Sequence, residues 1–520
     1  MPRPLGPALL ALLVAAGSAW ARPPNPGPKD LWRYAPGDKV ESLPSAGGKF
    51  RVHFTRAGQH AVPLEDSNKN GAPDHVEQVA ALYEQVLAFY QTKLGFRPPL
   101  SDGKQAGDNG GDGRFDVYLL DFAGKADGTF VREACSGATC SGFLVQENDF
   151  AGYAYPTVEI GNRTLASHEL FHAVQAAYDV DEGSIAGEGT AVWATEKFDP
   201  TLDDFEHLAT GYLDRADRSL DLPIQGPVDA FSYGASLFFQ FLDERFGGPV
   251  IRELWEDAVP GARGIPDPTW YSALPSLLER RRTSFAAELV NFATWNLMTG
   301  RRADPKRSYA RGSGLAMLKM PSAAAPYRDE TLRVYYASTQ YRSIDPRERS
   351  QITAAIRPTT SLASLRLVLF PLRGDKVGEP LLLPVDGSGD LSLPTAGVDR
   401  VIVMLVNTAR EGESARGTLC VGAPAEVAPC RPSPPDMAGP ADDQGEAMAP
   451  APGGGCTVGG RGASPFAFAA LLLLVPLLGR RRRQGVTARR ASRVKTSPMK
   501  PARWSTSKGA ASAPGWRRSK

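Results

Sequence analysis

Residues 167–173 read Ser-His-Glu-Leu-Phe-His-Ala, so His168 and His172 stand four apart with Glu169 between them. On a helix that spacing puts both imidazoles on one face, where they can reach a single metal ion. The segment is therefore expected to be helical, with Glu169 facing a water at the metal as general base. Zinc brings the pKa of such a water to roughly 7, which makes hydroxide available at neutral pH. The chain has only 6 histidines, so the pairing is seldom met by chance. The plain alternative is a surface helix that happens to carry two of them.

A catalytic zinc needs three protein ligands and one open position. Fifteen residues after His172 begins Gly187-Glu188-Gly189-Thr190-Ala191-Val192-Trp193-Ala194-Thr195-Glu196. Glu188 is the preferred third ligand, at the start of a second helical run after a loop containing Gly183 and Gly187. Glu182 and Glu196 are its rivals. Glu182 belongs to an acidic turn with Asp179 and Asp181 and is expected to be solvated. Glu196 is expected to serve, if at all, as a partner for a histidine N–H.

The two motifs together resemble the gluzincin class of zinc metallopeptidases, in which the His-Glu-x-x-His helix is followed by a ligating glutamate. Gly187 stands where that class often has Asn. The resemblance covers roughly residues 45–300. It implies an α+β zincin-like catalytic domain and a zinc held by His168, His172 and Glu188. The class often places a Tyr or His on a later helix as hydrogen-bond donor to the oxyanion. Tyr233 could fill that role, or it could simply be a core tyrosine. Ahead of the helix, residues 150–160 alternate and contain Pro156, which suggests an edge strand bordering the cleft. Substrate could add to such an edge as an extra strand.

Residues 66–77 (Asp-Ser-Asn-Lys-Asn-Gly-Ala-Pro-Asp-His-Val-Glu) match the calcium loop of an EF-hand at every constrained position. Asp66, Asn68, Asn70, the Ala72 carbonyl, Asp74 and Glu77 would surround one Ca2+, with Gly71 supplying the turn. A strand rather than a helix is expected before it, because Phe50, Val52 and Phe54 alternate with polar residues. After it, Val76, Val79, Tyr83, Val86, Leu87, Tyr90 and Leu94 recur at helical spacing until Gly95. A third acidic stretch, 108–116, offers Asp108, Asp112 and Asp116 to a second calcium, although Asp and Gly also make plain turns. Val117–Leu120 then reads as a buried strand.

The ends point to export. Arg3, an apolar core and Ala19-Trp20-Ala21 make residues 1–21 a secretory signal peptide. Of 5 cysteines, Cys135 pairs naturally with Cys140 and Cys420 with Cys430, leaving Cys456. Cys456 follows Gly453-Gly454-Gly455 in a Pro/Gly/Ala-rich linker (433–462), ahead of an apolar segment with an Arg cluster (463–483). That order resembles a myxobacterial C-terminal sorting segment. The resemblance implies a sorting and processing machinery as partner and an envelope destination. The apolar run is short for a stable span, which needs about 20 residues. Residues 484–520 form a basic, coreless tail to which no nucleic-acid role is assigned. The chain as a whole is only +2, so the part before this tail is net acidic.

Between the ends, 22–44 form an N-terminal extension, 45–315 the zincin-like domain, and 325–432 a small all-β sandwich. The last is suggested by runs such as Leu332–Tyr336, Leu365–Phe370 and Val401–Val406. The expectation is a secreted or outer-surface zinc metallopeptidase acting on protein or peptide. Two alternatives stay open: a catalytically inactive, calcium-stabilised adhesion protein, and a zinc hydrolase of non-peptide substrates.

Overall fold

The computed structural model describes residues 22–431, apart from 27–31, 104–107, 223–227, 362 and 383–389. The expected signal peptide, linker with Cys456, apolar segment and basic tail lie outside the described residues. Among the described residues, no helix is long and apolar enough to cross a membrane. The described residues form a mixed α and β architecture with three sheets.

The first sheet contains β1 (Val40–Pro44), β2 (Phe50–Thr55), β3 (Phe115–Leu120), β4 (Gly128–Ser136) and β5 (Thr139–Glu147) in the order β1-β2-β3-β5-β4. β3 runs parallel to both of its neighbours, and every residue in it is buried. A strand covered on both faces reads as a near-continuous apolar run. Val117 and Leu119 pack toward the helices. Tyr118 and Leu120 pack on the other face with Tyr34, Phe122 and Phe143. β4 is the edge strand, antiparallel to β5, and Cys135–Cys140 closes that hairpin.

Helix α1 (Asp74–Thr92) buries Val76, Val79, Tyr83, Val86, Leu87 and Tyr90, the stripe its spacing predicts. Gly95, at φ 76°, then turns the chain. Helix α2 (Val158–Gln175) carries both histidines, and the Thr157 side chain caps it by accepting from the Ile160 amide.

The strand expected over 150–160 does not form. Phe150 and Gly152 take positive φ values of 56° and 84°, so the backbone turns, and the last residues already belong to α2. Phe150 meets Tyr153 and Tyr155 edge to face, with centroids 5.9 and 5.3 Å apart. Gly161 lies beneath Phe150, where a Cβ would come within 2.9 Å of the ring. The aromatic alternation thus serves packing on the helix rather than a ladder. The strand that borders the site is β4.

α3 (Ser184–Phe198) lies against α2. Its Trp193 is buried against Phe96 and Phe171. The remaining helices are α4 (Asp204–Leu208), α5 (Thr210–Leu213), α6 (Ala230–Gly234), α7 (Ser236–Phe246), α8 (Val250–Ala258), α9 (Trp270–Arg280) and α10 (Phe285–Leu297). A Cβ on Gly189 would sit 2.6 Å from the Phe239 ring, so this glycine lets α7 close onto α3 beside Glu188.

The rest is β: β6 (Ser322–Ala324), β7 (Tyr327–Val334), β8 (Ser338–Asp345), β9 (Gln351–Pro358), β10 (Leu365–Arg373), β11 (Lys376–Val377), β12 (Leu381–Leu382), β13 (Leu391–Pro394), β14 (Arg400–Asn407) and β15 (Ala415–Gly422). One sheet runs β11-β10-β14-β8-β6, with β12 also on β10; the other runs β13-β9-β15-β7. Val401, Val403 and Leu405 of β14 face the core shared by these two sheets. Ile402, Met404 and Val406 join the helical core. Tyr341 donates to the Ala293 carbonyl at 2.8 Å across the same seam. Composition changes near residue 320, but the apolar core continues through that boundary. The Cys420–Cys430 disulfide closes the last strand's exit.

Candidate metal centre

α2 and α3 bring three ligand atoms together. His168 Nε2 lies 3.1 Å from His172 Nε2 and 3.2 Å from Glu188 Oε2, and His172 Nε2 lies 3.5 Å from the same oxygen. Tetrahedral zinc with bonds of about 2.0–2.1 Å sets its ligand atoms about 3.3 Å apart. The triangle therefore has the dimensions of one face of a zinc tetrahedron, and two imidazoles with one carboxylate are donors that suit that metal.

Burial opposes ionisation of Glu188, but the two imidazoles outweigh it and hold the carboxyl well below the usual carboxylate range. Desolvation likewise opposes charge on His172. The Glu188 and Glu169 carboxylates overcome it and push the imidazole up to about 9. The cluster thus draws a positive charge.

Glu169 is 8% exposed, and its carboxylate lies within 4.8 Å of a ring nitrogen of each histidine. Burial pushes its pKa up, the histidines pull it back, and Glu188 and Asp127 add to the rise. Gly128, at the start of β4, passes so close that a Cβ there would lie 3.0 Å from Glu169 Cγ. The edge strand therefore runs directly beside the general-base candidate.

Tyr233 on α6 faces the same space, with its ring centroid 6.0 Å from that of His168. Its phenol is pushed up by desolvation and then by Glu188 and Glu169, which keeps the O–H protonated as a donor. Nothing in the sequence flagged Asp127 or Tyr155. Asp127 accepts from Tyr155 Oη at 2.6 Å, and its charge acts on both Glu169 and Tyr233. They come from the loop before β4 and the turn before α2, which sequence spacing does not link.

The rival glutamates lie elsewhere. Glu182 is not solvated as expected: it accepts from the Trp270 amide at 2.7 Å, and burial pushes its carboxyl up to about 7. Glu196 pairs with Arg311. The partner of a histidine N–H is instead Gln175, whose Oε1 is 2.8 Å from His172 Nδ1. A Gln three residues after the second histidine shares its helix face, a spacing available in the sequence and overlooked.

In the loop 66–77, the side chains offered to calcium are hydrogen-bonded to one another and to the loop's own amides. Asp66 accepts from the Asn70 and Gly71 amides at 3.1 and 2.9 Å, and Asp74 accepts from the Ser67 amide at 3.1 Å. Asn68 and Asn70 donate their side-chain amides to Glu77 at 2.9 and 2.6 Å. Asn70 in turn accepts from the Ala72 amide at 2.8 Å. Gly71, at φ 92°, makes the turn.

In the stretch 108–116, offered above to a second calcium, each carboxylate has side-chain partners from elsewhere in the chain. Asp112 pairs with Arg51 and Arg114. Asp116 pairs with Arg22 and, at 2.6 Å, with His53 Nε2. Asp108 accepts from Asn25 at 2.8 Å. The three carboxylates are answered by three different sets of side chains.

No family model and no curated protein matches the chain. Among solved structures, a family GH115 4-O-methyl-α-glucuronidase with specificity for decorated arabinogalactans aligns over 64% of this chain and 54% of its own. The chain thus spans about half of that enzyme's length, at 12% identity and a TM-score of 0.13, a likeness that carries no argument about fold or function.

Proposed function

We propose that the chain is an exported, cell-surface zinc metallopeptidase with a zincin-like catalytic region, in which His168, His172 and Glu188 hold the metal. The observation that carries this reading is the ligand triangle, with edges of 3.1, 3.2 and 3.5 Å. Bound zinc supplies Lewis acidity, polarising a scissile carbonyl and bringing the pKa of an attacking water to roughly 7.

The chain's own groups do the rest. Glu169 takes the proton of the attacking water and returns it to the leaving amine. Its burial supports this, because a raised carboxyl pKa brings base and acid forms closer in energy at neutral pH. Tyr233 donates its O–H to the developing oxyanion. β4 offers its free edge to an extended peptide beside Glu169. A Ca2+ in the loop 66–77 pins the start of α1, and with it the sheet on which α2 rests. The signal peptide and the Cys456 segment point to the cell envelope and its sorting machinery.

The test is Glu169→Gln. Zinc content is expected to stay at the parent level while peptide hydrolysis falls by at least about 10²–10⁴-fold. A variant that retains parental activity contradicts the mechanism.

A further inference from the structure

Gln175 is the last residue of α2 and is only 6% exposed. Its side-chain amide has three polar neighbours. Nε2 lies 2.7 Å from the Gly187 carbonyl and 2.9 Å from Thr190 Oγ1, and Oε1 lies 2.8 Å from His172 Nδ1. The Gly187 carbonyl can only accept. The Thr190 hydroxyl gives its hydrogen to the Ala186 carbonyl at 2.7 Å, so its oxygen accepts from Gln175 and from Trp255 Nε1.

Both amide hydrogens of Gln175 are therefore spent on α3. The opposite flip would set a carbonyl oxygen against the Gly187 carbonyl. With that orientation fixed, Oε1 faces His172 Nδ1 and Nδ1 must carry the proton. An imidazole protonated at Nδ1 presents a bare lone pair at Nε2, the atom that completes the triangle with His168 and Glu188. Gly187 also immediately precedes Glu188, so the same amide ties down the turn that carries the third ligand.

We propose that Gln175 is the positioning residue of the metal centre: it sets the tautomer of His172 and fixes the turn of α3 that presents Glu188. This rests on the zinc reading above and deepens it.

Zinc affinity measured by competition with a chromophoric chelator tests it, on the full chain and on Gln175→Met and Gln175→Glu. Met fills the space but removes every hydrogen bond, and affinity is expected to fall about 10–100-fold. Glu keeps the acceptor toward His172 Nδ1, so it is expected to bind closer to the parent than to the Met variant. A merely structural role would not separate the two in that order.

Histidine ring nitrogen NMR on the zinc-loaded parent supplies a readout that needs no variant. His172 is expected to be protonated at Nδ1. Parental affinity in Gln175→Met, equal losses in both variants, or a proton on His172 Nε2 overturns the assignment while leaving the zinc reading in place. A parent that binds no zinc overturns both. Should Gln175→Met not fold, the ring spectrum of the parent decides.

Discussion

Two of the places where buried carboxylates gather among the described residues answer their charge in different ways. At the end of the first sheet, Asp102, Asp116 and Glu133 close around Arg22, which is 1% exposed. Glu133 receives two bonds from it, at 2.8 and 2.7 Å. At the crossing of α2 and α3, Glu188 is paired with two histidines. A buried charge must be compensated, and removing one partner of such a cluster is costly. In the first place the cation is a side chain, so the cluster is complete within the fold. In the second the compensating positive charge is a proton or a metal, which makes the place exchangeable. Structural and chemical uses of one residue type separate on that difference.

The largest effect expected from the comparison lies in the closed cluster. Arg22→Met leaves three buried carboxylates facing one another and should cost about 3–5 kcal/mol in urea denaturation. Millimolar calcium should restore part of that loss by standing in for the guanidinium. A midpoint unchanged from the parent would break the contrast.

Next comes the open centre. Tyr233→Phe should lower kcat by about 10²–10³-fold with zinc content unchanged, as loss of one oxyanion donor does. An unchanged kcat would return Tyr233 to the core. The acidic loops should differ by somewhat less. Calcium bound in the loop 66–77 at 100 times its Kd would stabilise the folded chain by about 2.7 kcal/mol, and that gain should vanish in Glu77→Gln. Asp112→Asn should keep it, since Arg51 and Arg114 already answer that carboxylate. Equal chelator responses in both variants would erase the distinction between the loops.

A further effect is a pH dependence. Burial raises the Glu182 carboxyl to about 7, so the folded chain binds its proton more tightly than the unfolded chain does. Its contribution is full below the unfolded value near 4.3 and is lost as pH rises through about 7. Thermal unfolding of the parent should therefore show a loss between about pH 4 and 7 that Glu182→Gln lacks.

Much of the candidate site was legible because helical periodicity is local. His168, Glu169 and His172 need only one helix, and Glu188 needs only that a second helix begin after a glycine loop. The stripe of α1 and the runs of β3, β10 and β14 were legible for the same reason. What was not legible depended on partners far along the chain. Phe150, Tyr153 and Tyr155 read like a strand, yet Phe150 packs on Gly161 of α2 and the two tyrosines pack on Phe150. Asp108, Asp112 and Asp116 stand close in sequence, but nothing nearby tells that Asn25, Arg51 and Arg22 come from other segments to pair with them. The run Val401–Val406 announces a strand, but not that its second face rests on the helices. Glu182 looks solvated in an acidic turn until the Trp270 amide reaches it.

The central claim is that a metal supplies the positive charge shared by His168, His172 and Glu188. Metal analysis of the purified protein beside His172→Ala tests it most directly. About one zinc per chain in the parent and almost none in the variant, with both folded, is the predicted result. A folded parent without zinc, or a variant that holds as much as the parent, would contradict it.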